Sequence, residues 1–145
     1  GTDILVDQAR WPILTATELP EETRAARMQE AELAVRGDSL PLMPWLRWFR
    51  HYDPLKAARL VRQPTLILHG ALDRQVSAGQ ADTLAATMRA SGNRRVEVRV
   101  FPGLNHLFLP SATDGSPAEY ASARETVVPA AVLDTLTTWL AGVLR

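Results

Sequence analysis

The sequence predicts an α/β fold of partial extent: the last parallel strands of a sheet, with flanking helices and a helical segment ahead of them. Three observations predict it. Residues 65–69, Thr-Leu-Ile-Leu-His, form a continuous run without polar alternation, the pattern of a strand buried on both faces of a parallel sheet. "RRVEVRVF" follows about thirty residues later as a second strand. A helical pattern from about Ala78 to Ala90 lies between them, so the unit reads strand, helix, strand, with a final helix after a long loop.

Taken in order, residues 1–16 form an opening segment in which Asp3 to Val6 reads either as a strand end or as a helix start. "PEETRAARMQEAELAVRG" is a helix: Pro20 suits its opening, Glu21 and Glu22 favour the positive end of the dipole, and Gly37 suits its stop. In "LPLMPWLRWFRHYDP", Trp45, Trp48, Phe49 and Tyr52 stand at i, i+3, i+4 and i+7 and share one helical stripe. Core packing is the plainer reading of that stripe; a substrate-pocket wall is the other. Asp53-Pro54 breaks the helix, and residues 17–60 together read as a helical, cap-like segment.

Residues 61–145 read as the βαβα part. In the helix after the first strand, Ser77 and Gln80 have capping-box spacing, and Gly92 suits the stop. In the second strand Val96, Val98 and Val100 share a face opposite Glu97 and Arg99, as in an edge strand near solvent. Residues 110–128 are loop-like, with turn residues Asp114 to Pro117. The last helix starts near Pro129, and Val132, Leu133, Leu136, Leu140 and Val143 give it an apolar face for packing on the sheet.

Composition narrows the function classes. The 145 residues, 46% hydrophobic, suffice for one packed domain. Sixteen basic residues balance sixteen acidic ones, so no basic field is offered to nucleic acid or to an anionic membrane. There is no cysteine, which removes disulfides, thiol nucleophiles and thiolate metal sites. No apolar run reaches the length of a membrane span. His51, His69 and His106 lack metal-ligand spacing, so a metal site is not expected.

The chemistry gathers at two strand tips. In open α/β sheets, functional groups collect beyond the C-terminal ends of the strands. Asp73 follows the first strand in "PTLILHGALDRQV", and His106 follows the second in "FPGLNHLF". If the strands are parallel neighbours, an Asp–His hydrogen bond becomes natural, and the carboxylate then fixes the imidazole tautomer for general-base work. Each residue also has a plainer reading: Asp73 as a turn cap, His106 as a loop histidine satisfied by backbone. Their matched positions in successive units, acid before histidine, favour the catalytic pair.

The blocks "HGALDRQV", "PGLNHLF", "GSPAEY" and "PWLRWFRHYDP" resemble the C-terminal part of bacterial α/β-hydrolase esterases and related serine hydrolases, along the whole chain. The resemblance implies a partial α/β-hydrolase fold and a cofactor-free hydrolase acting on small-molecule acyl esters or similar carbonyl compounds. It places the triad acid at Asp73 and the triad base at His106. It also makes residues 17–60 a cap over the pocket, with Trp45, Trp48 and Phe49 as candidate wall residues.

In such enzymes the nucleophilic serine stands on a G-x-S-x-G elbow upstream of the acid, and these 145 residues contain no such motif. "GDSL" at 37–40 spells another esterase signature, but a charged helix precedes it and no D-x-x-H follows near the C-terminus; Ser39 reads as a turn residue. Ser77 reads as a cap, and Ser111 and Ser116 fall in the wrong chain order. The expectation is therefore that an N-terminal segment of the same hydrolase, covalent or associated, supplies the nucleophile and a strand beside 65–69. A non-catalytic binding module on the same scaffold is the alternative.

Overall fold

The computed structural model describes residues 2–14, 16–37, 44–122 and 126–145, and their side chains except at 2–4, 44–47, 118, 121 and 122. The chain divides into two units, residues 1–54 and 55–145.

The first unit is helical. α1 (Thr2–Leu14) packs on α2 (Glu21–Arg36). Residues 3–6 are thus helix rather than a strand end, because burial of Val6 to 2% exposure and an Arg10–Glu32 ion pair of 3.0 Å are available to a helix paired with α2. α2 has the predicted ends: Pro20 precedes it, Glu21 and Glu22 lie in its first turn, and the Gly37 N–H donates to the Leu33 carbonyl. The Arg50 guanidinium from α3 (Pro44–His51) donates to the carbonyls of Arg36 and Gly37 at 2.8 and 3.0 Å. Such a cation also suits the negative end of the α2 dipole. In α3, Trp48 stacks on Tyr52 with ring centroids 4.5 Å apart, yet Trp48 is 61% exposed. Core packing therefore does not describe Trp48. Phe49 is half-buried. The Trp45 side chain and Ser39 lie outside the described residues. The chain breaks at Asp53 as predicted, and Pro54 opens the short α4 (Pro54–Ala58), where its missing N–H costs nothing.

The second unit holds a parallel pair, β1 (Thr65–Gly70) and β2 (Val96–Phe101), in register from Thr65 opposite Val96 to Gly70 opposite Phe101. α5 (Gly79–Ala90) joins them. Its apolar side, Ala85 and Met88, packs with Ala58, Ile67, Val96 and Val98 in one core cluster. The α5 terminus is a Schellman motif: the Gly92 N–H donates to Arg89 and the Asn93 N–H to Met88, with Gly92 at φ 96°. The capping box expected at the other end does not form. Ala78 holds the cap position in helical backbone, and no side chain caps the end.

Two expectations about burial are corrected. Residues 65–69 are half-buried rather than covered on both faces, because a cavity lined by Leu66 remains between the sheet and the last helix; at its edge, β1 has β2 as its single strand neighbour among the described residues. α6 (Ala130–Val143) buries Val132 at 5% exposure but leaves Leu133, Leu136, Leu140 and Val143 between 37 and 49% exposed. The same incomplete cover leaves a cavity of about 840 Å³ lined by Leu66, Glu97 and Arg99 of the sheet and Asp134, Thr138 and Trp139 of α6. It includes neither Asp73 nor His106.

Candidate active site

Parallel pairing in this register puts the C-terminal ends of β1 and β2 side by side, so the loops that leave them start as neighbours. They are sewn together by backbone bonds. The Ala71 N–H donates to the Phe101 carbonyl and the Leu72 N–H to the Leu104 carbonyl, both at 2.9 Å. Gly70 lies under the second loop, where a Cβ would run into the carbonyl groups of Leu104 and Asn105. Here glycine is required by close approach rather than by φ.

Asp73 is buried, and its two oxygens have different partners. Oδ1 accepts the N–H groups of Gln75 and Val76 at 2.8 and 2.9 Å, an Asx-type turn that fixes the carboxylate plane. Oδ2 is left to face His106, whose Nδ1 lies 2.9 Å away. A carboxylate only accepts, so Nδ1 carries the proton and donates. His106 Nε2 is then the basic nitrogen, and it has no hydrogen-bond partner among the described residues. The His106 side chain is 38% exposed against 6% for that of Asp73. The pair thus has a buried acid and an imidazole open to an incoming group.

The His106 turn has its own support. Asn105 is 1% exposed, and its Oδ1 accepts the N–H groups of Leu107 and Leu109 at 2.9 and 3.1 Å. Phe108 takes a left-handed φ of 57° in this turn and meets Phe101 edge-on at 6.2 Å. His69, on β1, donates from Nε2 to the Val76 carbonyl at 2.9 Å and lies 3.4 Å from Asp73 Oδ2. It therefore tethers the acid loop to the strand.

Asn105 and His69 were not among the site residues predicted from the sequence. An Asn beside a loop glycine and histidine is the signal that points to Asn105. His69 carries no such signal, because only the loop's return places Val76 against it. The structure brings Asp73 and His106 together. Trp48 and Phe49 belong to the first unit, and Trp45 has its backbone in α3 there.

The model of the prolyl oligopeptidase family matches residues 43–124, more than half of the chain. Esterase EstD of Thermotoga maritima is 30% identical over 91 residues, a match covering 63% of this chain and 21% of that protein. The chain thus spans about a fifth of the curated relative it matches. No solved structure gives a significant match. The chain belongs to the prolyl oligopeptidase family, a serine hydrolase family with the α/β-hydrolase fold.

Proposed function

We propose that this chain supplies the acid, Asp73, and the base, His106, of a Ser-His-Asp triad in a hydrolase that cleaves carboxylic esters or similar acyl compounds. The observation that carries this reading is the 2.9 Å hydrogen bond from His106 Nδ1 to Asp73 Oδ2, made while Oδ1 is held by two amides and Nε2 has no hydrogen-bond partner among the described residues. In the reaction, a serine hydroxyl attacks the acyl carbonyl as His106 Nε2 takes its proton. The imidazolium then gives that proton to the leaving group. Water repeats the sequence on the acyl-enzyme, and Asp73 holds Nδ1–H throughout.

The serine belongs, in this proposal, to an elbow in a segment N-terminal to residue 1 of the same hydrolase, covalent or associated. The open edge of β1 supports this. The Thr65 and Ala71 N–H groups face β2, so strand alternation turns the backbone groups of Leu66 and Leu68 the other way, where the described residues offer no strand. Residues 1–16 then open the piece, 17–60 form a cap with Trp45, Trp48 and Phe49 as pocket-wall residues, and 61–145 complete the core.

A second reading, cleavage of peptide bonds next to proline, is favoured by the family match. Ester cleavage is favoured by the relative named an esterase. The test is fluorophosphonate labelling of the full-length gene product, followed by turnover of p-nitrophenyl butyrate and of a prolyl p-nitroanilide. Labelling with faster ester turnover is expected. Faster anilide turnover moves the assignment to a peptidase. Absence of labelling overturns the hydrolase reading in favour of a binding module.

A further inference from the structure

The block Gly115–Tyr120 takes no part in the chemistry proposed above, yet its contacts lead directly to the acid. Glu119 is the centre of the loop that begins at Ser111. Its Oε1 accepts the N–H groups of Thr113, Asp114 and Gly115 at 3.1, 2.7 and 3.2 Å, together with the Thr113 hydroxyl. Its Oε2 accepts the Ser111 hydroxyl at 2.7 Å. Successive backbone N–H groups converging on one oxygen make an anion nest. The Thr113 hydroxyl first, then the Ser111 hydroxyl and the Asp114 and Gly115 amides, hold the carboxyl at about 2, below its usual 4.5. Glu119 is therefore charged at neutral pH, and the loop is closed by its own carboxylate.

The closed loop grips the residues around Asp73 on both sides. Gly115 is buried at φ 78°, and a Cβ there would run into the Leu72 carbonyl. Arg74 Nε donates to the Asp114 carbonyl at 2.8 Å. Gln75 Nε2 donates to the Tyr120 hydroxyl at 2.9 Å. Leu72, Arg74 and Gln75 flank Asp73, and the Gln75 amide is one of the two that hold Asp73 Oδ1.

We infer that Glu119 is a positioning residue: by closing the loop of residues 111–120, it clasps residues 72–75 and aims Asp73 Oδ2 at His106 Nδ1. The inference rests on the triad reading. Misplacing a catalytic group by about 1 Å costs about a hundredfold in rate, so partial loosening of the clasp has a large readout.

The test uses the full-length gene product with Glu119→Ala, Glu119→Gln, Tyr120→Phe and His106→Ala, measured with p-nitrophenyl butyrate and by amide hydrogen exchange over residues 71–76. Glu119→Ala is expected to lower kcat at least about tenfold with KM nearly unchanged, and to speed exchange in 71–76. Glu119→Gln keeps an acceptor for the amides and recovers most of kcat at neutral pH. Tyr120→Phe, which deletes only a hydroxyl, gives a smaller change in the same direction and serves if Glu119→Ala does not fold. Wild-type kcat and exchange in both Glu119→Ala and Tyr120→Phe, in a background where His106→Ala abolishes turnover, overturn the inference. So does a lowered Tm with the kcat of the folded fraction unchanged. If His106→Ala leaves turnover intact, the triad reading fails, and exchange in 71–76 still decides whether the clasp exists.

Discussion

At Asp73 a single carboxylate does two jobs with two oxygens, and the division predicts what its amide would do. In Asp73→Asn, Oδ1 keeps the Gln75 and Val76 amides, so the loop persists. The Nδ2 group then presents hydrogens to His106 Nδ1, which favours the opposite tautomer and leaves Nε2 without its lone pair. If the triad reading is right, kcat falls by about 10⁴-fold with an unchanged circular dichroism spectrum. His106→Ala should abolish ester cleavage in the full-length gene product while the fold remains intact; unchanged turnover would reject its role. Gly70→Ala is a test of packing at the same scale. Its Cβ meets backbone carbonyl groups of Leu104 and Asn105 that cannot swing aside. A loss of about 1–3 kcal/mol is expected from denaturant midpoints of the full-length gene product.

The elements owe their ends to short-range chemistry, and one such end and one loop give measurable effects. The α5 Schellman motif needs a left-handed residue at Gly92, where a Cβ would touch nothing. Gly92→Ala should therefore cost about 1 kcal/mol through backbone strain alone, with no change in the site. The loop that Glu119 closes has an acid dependence of predictable sign. A carboxyl held at about 2 in the folded state and near 4.5 when free contributes stability that is fully present above about pH 4.5. That contribution fades as pH falls toward 2. Glu119→Gln removes this contribution, so the difference in urea midpoint between wild type and variant should shrink steadily from pH 5 to 2.5. A constant difference across that range would contradict the internal nest.

Over the whole second unit, cover is incomplete in two places. One edge of β1 faces away from β2, and the α6 side chains Leu133, Leu136, Leu140 and Val143 stay partly exposed. Burying what remains of each is worth on the order of 1 kcal/mol, and an unpaired strand edge invites another strand. The proposal of an N-terminal segment predicts that the Leu66 and Leu68 amides exchange slowly in the full-length gene product. In residues 1–145 alone they should exchange fast. A soluble, cooperatively unfolding monomer of these 145 residues would contradict it.

Local pattern made much of this legible. The apolar run at 65–69, the alternating valines at 96–100, and the glycines at 37 and 92 announced the strands and the helix stops, because period and backbone freedom are properties of neighbouring residues. Asp73 and His106 could be singled out by their place after each strand. What sequence could not supply was any quantity set by partners outside the local pattern: whether residues 3–6 coil or extend, how much of β1 is covered, that His69 meets the Val76 carbonyl, and that the loop of residues 111–120 meets residues 72–75. Those depend on contacts between residues apart in the chain, such as Arg74 reaching the Asp114 carbonyl. Close packing in three dimensions decides them, and only the folded arrangement brings those groups within hydrogen-bond range.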